Sequence, residues 1–137
     1  MSETHIEKRR YTRVELALPV EVHQGGSVWH QHLIDISLTG VATDQPRQWD
    51  AQYNEPFTLI IKLDEGSKLE LHAYLQHVEA GRLGFAVQHV DRENMEPLLE
   101  VLQAHMDMET LEEELGQHPF GRAIGIQEQS ALLADRG

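Results

Sequence analysis

Hydrophobic residues alternate with polar ones over much of the first ninety positions, and this period of two predicts β-strands. Between residues 14 and 22 every even position is Val or Leu, while Pro19 predicts an edge strand or a bulge. Gly25 and Gly26 supply a hairpin turn, because paired glycines tolerate a positive φ, and residues 28–36 read as the returning strand. A hairpin centred between these glycines pairs residue i with residue 51 − i, unless a bulge at the proline shifts the register by one.

Four further segments rich in β-formers follow, at 40–43, 57–63, 69–78 and 83–90. Six short strands in hairpin succession are typical of a small antiparallel barrel or sandwich. After Asp91 the period becomes helical, with apolar residues at positions 95, 98, 99, 102 and 106, and a second helical segment covers about 108–115. The pattern therefore predicts a mainly β fold with a helix packed on the strands.

The composition narrows the class of protein. A chain of 137 residues with 40% hydrophobic and 25% charged residues is typical of one globular domain. It has no cysteine, which excludes disulfides, thiolate nucleophiles and cysteine zinc sites. Because no secretion signal and no long uncharged apolar run is found, we expect a cytoplasmic protein that does not insert into membranes.

The charge is strongly asymmetric. A formal net charge of −12 repels extended nucleic acids and anionic lipid, so neither DNA nor RNA is an expected partner. Against this background, four of the eleven lysines and arginines crowd into six positions, as Lys8, Arg9, Arg10 and Arg13. Such a cluster attracts a compact anion with one or two phosphates.

A second polar segment completes the candidate site, the run from Asp35 to Gly40. An arginine matches phosphate oxygens and the acceptor edge of guanine, and its flat face stacks on a base. Asp35 offers a carboxylate for ring N–H donors, Ser37 a hydroxyl, and Gly40 a place where the backbone comes close to another group. The hairpin register puts Arg13 opposite Leu38, beside this turn, which predicts a cradle for guanine and phosphate.

The spacing Arg9-x-x-x-Arg13 followed by Asp35-x-Ser37-x-x-Gly40 resembles the paired signature of PilZ domains over about residues 7–105. The resemblance implies a six-stranded antiparallel β-barrel with a C-terminal helix packed on it. It also implies a receptor or adaptor without catalytic activity, which binds the bacterial second messenger cyclic di-GMP and signals to an unidentified downstream protein. Neither motif specifies whether one messenger molecule or an intercalated pair binds.

The resemblance also implies a set of ligand-binding residues: Arg9, Arg10, Arg13, Asp35, Ser37 and Gly40. Arg9 and Arg13 carry the arginine motif and would contact phosphates and guanine, whereas Arg10 and Lys8 lie outside the minimal pattern and add positive charge. His77, on a neighbouring strand, is a further candidate for stacking on a guanine. No cofactor is implied beyond the nucleotide ligand.

The domain organisation expected is a mobile basic arm at 1–13, a PilZ-like barrel with helices at 14–115, and a tail at 116–137. No metal site is expected, because His30 and His32 share a strand face without a third ligand at a recognisable spacing. No catalytic motif is found, so the chain is not expected to be an enzyme. The alternatives are a barrel that binds single-stranded nucleic acid through the same arm, or a protein-interaction module that has lost ligand binding.

Overall fold

The computed structural model of the chain describes residues 11–117, which contain seven β-strands, one short 3-10 turn and two α-helices. The strands are β1 (Val14–Glu15), β2 (Pro19–Gln24), β3 (Ser27–Ile36), β4 (Gly40–Asp44), β5 (Phe57–Lys62), β6 (Lys68–Glu79) and β7 (Arg82–His89). The helices are α1 (Arg92–Gln103) and α2 (Met108–Gln117), and the 3-10 turn is Asp64–Gly66. Every predicted strand and helix is therefore present, with bounds that differ by a few residues.

The strands close into an antiparallel barrel. Neighbours around it are β3, β2, β5, β6, β7 and β4, and β4 pairs back onto β3 to complete the ring. The two-residue β1 also pairs with β3, beyond the end of β2, so β1 and β2 act as one interrupted strand. The predicted six-stranded antiparallel barrel with a C-terminal helix is confirmed.

The first hairpin carries the register shift that Pro19 predicts. Within β2 and β3, Val22 pairs with Trp29, in agreement with the 51 − i rule. Across the irregular residues 16–18 the register changes by one, and Val14 pairs with Ile36. The prediction that Arg13 lies opposite Leu38 was therefore wrong by one residue. The bulge shifts β1, which follows Arg13, by one position along β3.

The barrel interior is filled by the alternating apolar side chains of all six long strands. In β5, for example, Phe57, Leu59 and Ile61 are each at most 1% exposed, whereas the residues between them are half-buried. Trp49, in the long β4–β5 loop, extends this core, with its ring centroid 4.8 Å from that of Trp29 and 5.9 Å from that of Phe57. This packing gives the site described below a rigid support.

Helix α1 packs against the strands through Leu98, Leu99 and Leu102, all of which are buried. Its buried Asn94 accepts a hydrogen bond from the backbone N–H of Glu70 in β6 at 2.8 Å, which fixes the first turn of the helix to the barrel. Within residues 11–117, neither helix has the length and apolar character needed to cross a bilayer.

Candidate functional site

The centre of the candidate site is Asp35, which lies near the end of β3 between two arginines. Arg13 donates from Nη1 to Oδ1 at 2.5 Å, and Arg82 donates from Nη2 to Oδ2 at 2.8 Å. The Asp35 side chain is only 8% exposed, whereas those of Arg13 and Arg82 are 50% and 49% exposed. Two permanent positive charges thus surround one buried negative charge, and the surplus positive charge faces solvent.

The turn after Asp35 is held by its own hydrogen bonds. Ser37 Oγ accepts from the backbone N–H of Thr39 at 3.2 Å and from that of Gly40 at 3.1 Å. The backbone N–H of Ser37 in turn donates to the carbonyl of Gly40 at 2.9 Å. Ser37 is 1% exposed, so its hydroxyl shapes the turn from within.

Gly40 leaves the space in which the Arg13 guanidinium lies. A Cβ at this position would sit 3.2 Å from the carbonyl oxygen of Phe85 and 3.3 Å from Arg13 Nη2. The backbone oxygen has little freedom to move, because Gly40 lies in β4 directly beside β7. Glycine at this position is therefore explained by close approach of other groups.

Beside the Arg13 guanidinium is an open pocket of about 280 Å³, lined by Tyr11, Arg13, Ser37, Thr39 and His77. The imidazole of His77 lies over Gly84 of the neighbouring strand, where a Cβ would be 3.3 Å from His77 Cδ2. Arg13 and His77, which line this pocket, thus each occupy space that a glycine leaves open. A guanidinium with the rings of Tyr11 and His77 in the same pocket suits an anionic ligand that carries flat rings.

Of the predicted residues, the structure brings Arg13, Asp35, Ser37 and Gly40 together around one turn, and His77 lines the adjoining pocket. The three other predicted cations, Lys8, Arg9 and Arg10, lie outside the described residues, as does most of the predicted arm. Both oxygens of Asp35 accept a hydrogen bond from an arginine, and its predicted role toward a guanine ring stays a prediction.

Two residues of the site were not predicted from the sequence. Arg82 opens β7 and pairs across the barrel closure with Asp44 of β4, which brings its guanidinium to Asp35. Thr39 was seen as part of the turn but was not assigned to the pocket. For Arg82 the missing signal was the β4–β7 pairing, since those strands are far apart in sequence.

The residue before Arg13 connects the site to the second helix. Thr12 donates from its backbone N–H to Glu114 Oε2 at 3.1 Å and from its hydroxyl to the same oxygen at 2.5 Å. Glu114 belongs to α2, whose Leu111 and Leu115 are buried in the core. Thr12, the residue next to Arg13, is therefore anchored on α2.

Comparison with known proteins gives a family and a fold. A sequence model of the PilZ domain matches residues 7–104. The inhibitor of motility MotI/DgrA of Bacillus subtilis is similar in structure, with a TM-score of 0.58 and 19% identity over 69% of this chain and 48% of that one. The PilZ domain of CeSA from a cellulose-synthesizing bacterium gives a TM-score of 0.54 and 22% identity over 68% of this chain and 96% of that one. The chain thus spans about half the length of the motility inhibitor.

Proposed function

This chain belongs to the PilZ domain family, whose members are typically non-catalytic adaptors that bind cyclic di-GMP, and we propose that it binds this nucleotide in the pocket beside Arg13. One observation carries the proposal. The guanidinium of Arg13 is fixed against Gly40 by the buried carboxylate of Asp35, yet remains half exposed toward the pocket.

A fixed arginine favours binding because little side-chain freedom is lost when the ligand arrives. Arg13 would hold a phosphate or the acceptor edge of a guanine, while His77 would stack on a base. Lys8, Arg9 and Arg10 would add positive charge from the other side of the ligand. A few charge-assisted hydrogen bonds of about 1.5–3 kcal/mol each are enough for the ~8 kcal/mol of micromolar affinity.

The signal to a partner would pass through the residues that join the site to α2. If Lys8, Arg9 and Arg10 close over the nucleotide, the backbone that leads into the fixed Arg13 shifts at Thr12, and the hydrogen bonds of Thr12 to Glu114 change. The surface made by the arm and α2 would then differ between the free and bound states. We propose this surface as the one that a downstream protein recognises.

Isothermal titration of the full chain with cyclic di-GMP tests the proposal and measures the stoichiometry. We expect saturable binding, absence of binding to GTP, and a loss of roughly a hundredfold in affinity for Arg13→Ala, which removes about 3 kcal/mol of charge-assisted contacts. Arg47→Ala is the matched control, because this exposed arginine lies outside the pocket.

The same titration separates the rival functions. Affinity for a single-stranded oligonucleotide that excess cyclic di-GMP does not reduce would favour the nucleic-acid-binding barrel and contradict our proposal. Equal affinity of Arg13→Ala and Arg47→Ala would show that the nucleotide binds elsewhere on the chain.

A further inference from the structure

A second cluster of ionisable side chains lies away from the nucleotide pocket, where β6 passes the start of α1. Glu70 and His72 are two residues apart on β6 and so point to the same side. His72 Nε2 lies 3.4 Å from Asp91 Oδ2 and 3.7 Å from Glu70 Oε2. His89 completes the group, with its Nε2 2.7 Å from the other oxygen of Asp91.

These spacings are close to those between the ligands of a zinc ion. A tetrahedral zinc ion with ligand distances of about 2.0–2.1 Å has ligand atoms about 3.4 Å apart. One nitrogen and two carboxylate oxygens, from His72, Asp91 and Glu70, lie within 4.8 Å of one another, so small rotations bring them to that separation. The three side chains are 31%, 38% and 44% exposed, which leaves an ion free access from solvent.

The orientation of His72 also fits. Its Nδ1 lies 3.5 Å from the hydroxyl oxygen of Thr58 on β5, which leaves Nε2 directed at the two carboxylates. A hydrogen bond to the second ring nitrogen is how ligating histidines are usually held. His89 has the corresponding role toward Asp91, because it binds the oxygen that faces away from His72.

Asp91 provides an independent observation. It is the N-cap residue of α1, a position at which an aspartate normally accepts a hydrogen bond from a backbone N–H of the first turn. Here the side chain makes no capping hydrogen bond and is directed at the histidines instead. Within residues 11–117, neither Asp91 nor Glu70 forms an ion pair with a lysine or an arginine. Two carboxylates thus face one imidazole nitrogen without a lysine or an arginine beside them.

We propose that Glu70, His72 and Asp91 bind a divalent transition-metal ion of the zinc class, with His89 positioning Asp91. The mixed nitrogen and oxygen donors suit Zn²⁺ and its neighbours Co²⁺ and Ni²⁺ better than Mg²⁺ or Ca²⁺, which prefer oxygen alone. The ion would neutralise both carboxylates and join β6 to the start of α1. This proposal departs from the expectation of no metal, which was based on the pair His30 and His32.

The test uses the full chain without a histidine tag. Zinc is titrated by calorimetry, and the absorption of bound Co²⁺ in the visible range reports the coordination geometry. We expect one Zn²⁺ per chain, an intense tetrahedral Co²⁺ spectrum, and affinity at least about tenfold weaker in both His72→Ala and Glu70→Gln. The chain offers a matched control in His30→Ala/His32→Ala, which removes two exposed histidines of β3 outside the cluster.

Three outcomes would overturn the proposal: no saturable zinc binding by the natural chain, unchanged affinity in His72→Ala, or lost affinity in the His30→Ala/His32→Ala control. Asp91→Asn guards against a variant that fails to fold, because asparagine is an equally good N-cap residue. Circular dichroism of each variant without metal establishes that it is folded. Unchanged zinc affinity in folded Asp91→Asn would also overturn the proposal.

Discussion

Two aspartates of this protein, Asp35 and Asp91, are each held by two basic side chains, yet the two clusters suit opposite ligands. Asp35 is 8% exposed and binds two arginines, whereas Asp91 is 38% exposed and hydrogen-bonds two histidines. An arginine keeps its charge at every physiological pH and only donates hydrogen bonds, whereas an imidazole ring can also offer a nitrogen lone pair. The first cluster therefore presents positive charge to solvent, and the second presents lone pairs and negative charge.

The comparison shows that the partner of a carboxylate decides what the cluster binds. At Asp35 each oxygen binds an arginine, and the arginines are far more exposed than the carboxylate that they hold. At Asp91 the hydrogen bonds go to two histidines at more exposed positions, and Glu70 adds a second negative charge nearby. We therefore expect the Asp35 cluster to tolerate the loss of its partners poorly and the Asp91 cluster to tolerate it well.

The largest effect is expected when Asp35 loses both partners. Arg13→Ala/Arg82→Ala leaves a buried carboxylate without a positive charge, which costs about 3 kcal/mol of the free energy of unfolding. Urea denaturation measures this, with Arg47→Ala/Arg92→Ala as a control of equal charge change at exposed positions. A loss no greater than in that control would show that Asp35 does not depend on its arginines.

The next effect concerns the position of Arg13 and not its charge. Gly40→Ala places a methyl group 3.2 Å from the backbone oxygen of Phe85 and 3.3 Å from Arg13 Nη2, so the guanidinium has to shift. We expect cyclic di-GMP affinity to fall about tenfold and stability by about 1 kcal/mol. Gly26→Ala is the matched control, because a Cβ at that position meets no heavy atom within 4 Å. Equal affinity in the two variants would rule out a positional role for Gly40.

How much of each cluster was predictable depends on whether its members meet through a hairpin of regular register or through barrel closure and helix packing. Arg13 and Asp35 are joined by one hairpin, whose turn and register are predicted by Gly25, Gly26 and Pro19. The proximity of the two side chains could therefore be predicted. Even the shift of one residue has a local cause in the proline. The sequence therefore yields the core of the first cluster.

Arg82 depends on a contact that no local pattern encodes, and the second cluster depends on one in part. Arg82 reaches Asp35 only because β7 pairs with β4 across the closure of the barrel. The members of the second cluster are joined by the β6–β7 hairpin, but the register of that hairpin shifts next to His72, and α1 is fixed to β6 through Asn94. Barrel closure, register shifts and helix attachment are set by the packing of the whole core.

A smaller effect is expected at the pocket wall opposite Arg13. His77 is exposed and lines the pocket from β6, and base stacking on an aromatic ring contributes about 1 kcal/mol at the lower end of its range. We therefore expect His77→Ala to weaken cyclic di-GMP binding about fivefold by calorimetry, with His30→Ala as an exposed-histidine control. Equal affinity in both variants would show that His77 does not contribute to cyclic di-GMP binding.

The smallest effect is the one that separates the two aspartates most directly. Asp91→Asn without metal should change the free energy of unfolding by less than about 0.5 kcal/mol, because contacts between partly exposed side chains contribute little and asparagine is also favoured at the N-cap position. Zinc should then raise the melting temperature of the natural chain but not of the variant, since an ion that binds the folded state stabilises it against unfolding. A large loss of stability without metal would mean that Asp91, like Asp35, is a structural carboxylate, and the contrast between the two clusters would fail.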